Sequence, residues 1–257
     1  VGGVDAQTRS GFNERNPLMS LSNKRVVIIG GTSGIGLATA HAAIDAGAEV
    51  VVASSRQASV DAALGGLPAE TTGHTLDVLD TEAVAAFFEK AGSFDHLVYT
   101  AGESLSLMPV DGMDMDKARA FFEVRFFGAL NVVSVAARYI RPSGSITLTS
   151  GSARTRPGAG WSVASSLCGA TTSLAGALAV ELAPTRVNVV EPGIVRSPLW
   201  NGMSAEDQQA MYDQQAAALP IGRVGEVHDV AQAFLYAMTQ SFMTGASIPV
   251  DGGALLA

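Results

Sequence analysis

Short apolar runs alternate with longer stretches of mixed apolar and polar residues along nearly the whole chain. Arg25–Gly30 (Arg-Val-Val-Ile-Ile-Gly) is apolar after its first residue and ends in glycine, which predicts a strand buried on both faces. Gly34–Gly47 carries Ile35, Ala38, Ala42 and Ala46 along one side and predicts a helix. The same reading places strands at Glu49–Ala53, His74–Leu76, His96–Thr100, Gly144–Ser150, Arg186–Val190 and Ala246–Val250. Helices are predicted at Thr81–Lys90, Ser162–Leu182, Ser204–Ala218 and Val227–Gln240, and Met113–Ile140 holds one long helix or two in series. Alternation of this kind requires parallel strands joined by right-handed crossovers, so the expected architecture is α/β, a doubly wound parallel sheet flanked by helices. No repeat, low-complexity tract or Pro-rich linker interrupts it. A single domain over residues 19–257 is expected, with residues 1–18 a flexible tail or appended segment.

Composition narrows the partners. Apolar residues make up 47 % of 257 positions, enough to cover both faces of a large sheet. The formal net charge of −8 argues against nucleic acid and against a polybasic membrane contact. Cys168 is the only cysteine, so no intrachain disulfide forms, which fits a cytoplasmic protein. No apolar run reads as long enough to span a bilayer, and the first 22 residues lack the apolar centre of a signal peptide. His41, His74, His96 and His228 show no metal-ligand spacing. They read as structural or surface residues, His96 as a strand-edge one, and no metal site is expected.

The chemistry begins at Gly30-Gly31-Thr32-Ser33-Gly34-Ile35-Gly36, between the first strand and the first helix. Glycines there permit a tight turn and let backbone N–H groups approach a pyrophosphate, while the helix N-terminus adds a favourable dipole. The spacing Gly30-x-x-x-Gly34-x-Gly36 resembles the cofactor loop of the short-chain dehydrogenase/reductase family, a Rossmann-type fold. Further likenesses follow in order: Asp77-Val78, which would flank the adenine; Thr100-Ala101-Gly102, with Tyr99 and Thr100 where the family has asparagines; Arg186-Val187-Asn188; Pro192-Gly193-Ile194 and Ser197, which would face the nicotinamide; then Thr244-Gly245 and Asp251-Gly252-Gly253. A nicotinamide dinucleotide is therefore implied. The second strand ends in Ala53-Ser54-Ser55-Arg56 without a carboxylate, and Ser54, Ser55 and Arg56 all donate hydrogen bonds, so NADP(H) is expected over NAD(H).

The resemblance also implies four catalytic positions: a tyrosine, a lysine four residues later, a serine after the fifth strand and an asparagine on the preceding helix. Counted back from Ala179-Val180-Glu181-Leu182, these positions hold Ala164, Cys168, Gly151 and Arg125. No register restores the pair, since no lysine follows Lys117 and no tyrosine lies between Tyr139 and Tyr212. Ser150 and Ser152 flank Gly151 and, in extended backbone, would point away from the site unless a turn re-aims one. Cys168 is a small buried hydrophobe or, beside Arg125, a thiolate. Arg125 has two readings: an ion pair with Glu123 or Glu191, or an anion site aided by Arg154 or Arg156.

Trp161, Trp200, Met203 and Tyr212 are expected to line a substrate pocket, with a lid at about 198–219. The resemblance implies a homotetramer or homodimer built through the long central helices. The function expected is NADP(H)-dependent oxidoreduction of a small carbonyl- or alcohol-type substrate, an anionic one if Arg125 forms an anion site, through a non-standard site. The alternative is an inactive NADP(H)-binding sensor or interaction protein.

Overall fold

The computed structural model describes residues 19–105 and 107–256. Seven parallel strands form one sheet in the order β3-β2-β1-β4-β5-β6-β9. They are β1 (Arg25–Ile29), β2 (Glu49–Ser54), β3 (Thr72–Thr75), β4 (Phe94–Tyr99), β5 (Ile140–Thr149), β6 (Arg186–Pro192) and β9 (Ser247–Val250). β7 (Val195–Arg196) and β8 (Gly225–Glu226) pair separately beneath the lid. The doubly wound single domain read from the sequence is the observed one.

Strand alternation explains why the runs are apolar throughout. Val27 and Ile29 enter one core, with Phe88, Val132, Leu148 and Leu178. Val26 and Ile28 enter the other, with Ala40, Val52, Phe234 and Met238. Each strand therefore buries both faces under helices. The first core lies under α3 (Thr81–Ala91), α5 (Ala129–Ala136) and α6 (Ser162–Glu181), the second under α1 (Gly34–Asp45), α2 (Gln57–Leu64) and α8 (Val227–Thr239).

Three differences from the sequence reading bear on the site. The 113–140 stretch is α4 (Met115–Phe122), a π-turn (Glu123–Gly128) and α5, three segments instead of one or two. His96 is not at a strand edge: it is 4 % exposed in the central strand β4, with Nδ1 2.9 Å from Ser145 Oγ on β5. Finally, α6 has the length and hydropathy of a bilayer span, contrary to the reading that no run was long enough. Its Ala175, Leu178 and Ala179 pack into the sheet core and Leu167 against Ala118 and Phe121 of α4 instead.

Candidate active site

Every sequence-predicted cofactor residue falls at the carboxyl ends of the strands, where open α/β sheets bind ligands. Gly30–Gly36 follows β1, Ser54–Arg56 ends β2, Asp77-Val78 follows β3, Thr100–Gly102 follows β4, and Pro192–Ser197 ends and follows β6. The β1 loop is folded for backbone approach. Gly30 has φ +84° and a side chain there would sit 2.5 Å from Ala101 N. A Cβ on Gly36 would be 2.2 Å from Gly30 O and 2.5 Å from Thr100 Oγ1. Thr100 stitches the two loops by donating to Ile29 O (3.1 Å) and Gly30 O (3.2 Å).

The helix ends facing this loop suit an anion. Asp80, Asp114 and Ser204 cap α3, α4 and α7 (Ala205–Ala218) with their side chains. Ser33, at the start of α1, makes no such bond, and the first turn carries no acidic residue. Its amide donors are left for a ligand phosphate. Arg56 begins α2 in the same way, exposed and beside Ser55. The residues present therefore fit a nicotinamide dinucleotide, and Ser54, Ser55 and Arg56 close β2 beside its cradle.

The four family catalytic positions also come together. A Cβ on Gly151 would lie 3.2 Å from Cys168 Sγ. Ala164 is one turn before Cys168 on α6 and packs with Trp161, Phe121 and Met108. The guanidinium of Arg125 is close enough to the Cys168 thiol to bias its ionisation. Burial nevertheless pushes that thiol up, with Ser150 and Arg125 opposing, so it stays protonated near neutral pH and the thiolate reading is not supported.

Arg125 is held on four sides. Its CZ lies 4.9 Å from the Phe121 ring centroid, and a Cβ on Gly102 would meet its Nη1 at 2.5 Å. Nη2 donates to Glu103 O, and Nε is 3.9 Å from the Glu103 carboxylate. Nε is buried and has no hydrogen-bond partner. The pairing with Glu123 or Glu191 expected from sequence is thus replaced by Glu103. Glu191 belongs to Arg154, whose Nε and Nη2 donate to its two oxygens at 2.9 and 3.1 Å, while Thr172 Oγ1 donates to the first of them at 2.8 Å. Arg154 is thus committed to Glu191. Arg156 donates to Ala254 O.

Ser150 follows the alternation: its Oγ donates to Cys168 O at 2.8 Å, into α6. Ser152 opens a 3₁₀ turn (Ser152–Arg154). Trp161 and Trp200 pack on each other with ring centroids 6.4 Å apart, Trp200 being 4 % exposed. Trp200 is fixed by Nε1 donating to Val195 O (3.0 Å), and Met203 is partly exposed beyond it. Tyr212 is placed differently from the sequence reading. It is 4 % exposed, with the Arg196 guanidinium 4.3 Å from its ring centroid, and anchors α7 instead of facing substrate. Two contributors escaped the sequence reading. Leu105 donates from its N–H to Leu199 O (2.9 Å), and Met108 N–H to Gly160 O (2.9 Å), so the loop after β4 straps lid to pocket wall. Among the described residues no cluster suited to a metal occurs.

A glycine-rich turn folded for backbone approach, at the carboxyl ends of a doubly wound parallel sheet, defines a Rossmann-type nucleotide-binding fold. A family model for the SDR-like Rossmann domain matches residues 18–257. The short-chain dehydrogenase/reductase ucsE of an Acremonium species is 38 % identical, over 92 % of this chain and 97 % of its own. A solved small-chain dehydrogenase in complex with NADPH is 36 % identical, with a TM-score of 0.77 over 91 % of this chain and 99 % of that one. The MalC reductase/Diels-Alderase structure from Malbranchea aurantiaca is 30 % identical, with a TM-score of 0.85 over 95 % and 100 %. The chain belongs to the short-chain dehydrogenase/reductase family.

Proposed function

We propose that this protein is an NADP(H)-dependent oxidoreductase of small carbonyl- or alcohol-type substrates in which Arg125 takes over the stabilisation of the substrate oxygen. The observation that carries the reading is Arg125 itself. It stands where the family places its asparagine, against Gly102 at the end of the β4 loop and close enough to the Cys168 thiol to favour its ionised form. When bound, the dinucleotide supplies or accepts hydride. A carbonyl oxygen gains negative charge as hydride arrives, and a fixed cation in a pocket poor in water stabilises that charge. Arginine does not release its proton at working pH, so Arg125 orients and stabilises but does not act as the acid. Burial pulls its pKa down and Glu103 opposes this. The proton comes from solvent or from the substrate's own acidic group.

NADP(H) preference is supported by the absence of a carboxylate after β2, by Arg56 at the start of α2, and by the likeness to a dehydrogenase solved with NADPH. The apolar groove of about 560 Å³ between α4 and α6, with Met115, Phe122 and Phe127 exposed or half-buried, supports assembly into a homo-oligomer through that face.

Calorimetric titration tests the cofactor: NADPH is expected to bind at least tenfold tighter than NADH, and Arg56→Ala to remove most of that preference. Turnover is then followed at the nicotinamide absorbance with a panel of carbonyls and imines. Arg125→Ala is expected to lower kcat about 100-fold or more, the scale of removing one oxyanion donor, while NADPH affinity stays within about twofold. Unchanged kcat in Arg125→Ala overturns the arginine-centred site.

A further inference from the structure

We infer that Tyr99 is a positioning residue for Arg125, acting through the π-turn: its phenol O–H holds the Val124 carbonyl, and that bond fixes the direction in which the next side chain leaves the helix. The inference rests on the role proposed for Arg125.

A π-turn inserts one residue into a helix and disturbs the i→i−4 ladder, which leaves backbone groups in need of other partners. Tyr99, the last residue of β4, donates its phenol hydrogen to Val124 O inside this turn. Tyr99 is 3 % exposed, and its hydroxyl reaches the turn beside Gly128, where a Cβ would stand 2.8 Å from Tyr99 Oη and 2.7 Å from Val78 Cγ2. Gly128, at the end of the π-turn, is thus the gap through which strand and helix meet. Burial and the nearby Glu103 push the Tyr99 phenol far above its usual range, so it remains a neutral donor at any working pH. The bonded carbonyl and the guanidinium belong to adjacent residues. Rotation of the turn by one residue's worth of helix would carry Arg125 off the Phe121 ring and out of the Gly102 notch. Tyr99 and Gly102 lie at either end of the same loop, so the strand that places the cofactor-side backbone also sets the cation.

The chain offers an internal reporter, because Cys168 is its only cysteine and Arg125 favours its ionised form. The rate of alkylation by iodoacetamide at fixed pH reads the thiolate fraction and therefore the proximity of the guanidinium. Tyr99→Phe keeps the ring and removes only the hydroxyl. Gly128→Ala disturbs the same hydroxyl from the other side and covers the case in which Tyr99→Phe folds poorly. Both variants and Arg125→Ala are expected to alkylate about threefold more slowly than the parent, equivalent to half a pKa unit. The double variant Tyr99→Phe/Arg125→Ala is expected to be no slower than Arg125→Ala alone, a non-additivity that a general loss of stability would not produce. Tyr99→Phe labelling at the parental rate, or additive effects in the double variant, overturns the inference. The proposed function is judged separately, by turnover in Arg125→Ala.

Discussion

Arg125 shows how much a single side chain depends on neighbours that are distant in sequence. Its presence in an aromatic stretch announced a constrained guanidinium, and that much was legible. Its partner was not: Glu103 lies in a loop whose path is set by backbone bonds to Leu199 and Gly160. Glu191 was equally opaque. It is 2 % exposed and relies on the half-exposed Arg154 and on Thr172. Arg154→Ala strands that carboxylate, and urea unfolding is expected to show a loss of about 2–3 kcal/mol. His96 gives a pH dependence. Burial, opposed by Asp95 and reinforced by Arg186 and Lys24, lowers its pKa from 6.5 to about 4. Between those values the unfolded chain binds a proton that the folded chain refuses. Stability contributed by neutral His96 is full above pH 6.5 and is lost as pH falls towards 4, by at most about 3 kcal/mol. His96→Asn is expected to flatten that part of the stability–pH curve, measured by thermal melts from pH 4 to 7.

At the scale of elements, strands buried on both faces were the most legible, because Val, Ile and Leu run without polar breaks. α2 was missed: of its eight residues only Val60 and Ala63 are buried, too weak a stripe to stand out beside Ser54-Ser55-Arg56. The π-turn was invisible because its backbone partner, the Tyr99 hydroxyl that donates to Val124 O past Gly128, comes from a distant strand. The β1–α1 loop is the opposite case, where local sequence and tertiary contact agree. Gly36→Ala would drive a methyl into Gly30 O and Thr100 Oγ1. It is expected to abolish NADPH binding in titration and to lower Tm, whereas Gly176→Ala on α6, where no atom lies within 4 Å, is expected to leave binding unchanged and to raise or keep Tm.

For the whole molecule, alternation of runs gave the sheet order's class, and the glycine spacing gave the ligand edge. The catalytic half stayed open because substituted positions carry no pattern of their own; only coordinates bring Arg125, Gly151, Ala164 and Cys168 to one floor. The cradle and the lid are contributed by loops from five strand ends, so cofactor binding couples them. Saturating NADPH, at a hundredfold excess over Kd, is expected to add about 2.7 kcal/mol of stability. For a chain of this size that raises Tm by about 5–10 °C, readable by calorimetry.

The placement of the indole rings has a practical consequence. The chain has two tryptophans, packed with ring centroids 6.4 Å apart, one just before α6 and one in the segment expected to form the lid. Tryptophan emission, excited selectively over the four tyrosines, is therefore a signal of one place. Docking of a reduced nicotinamide would quench it by energy transfer, and a shift of the lid would change its colour, so occupancy and closure can be timed in the unlabelled protein.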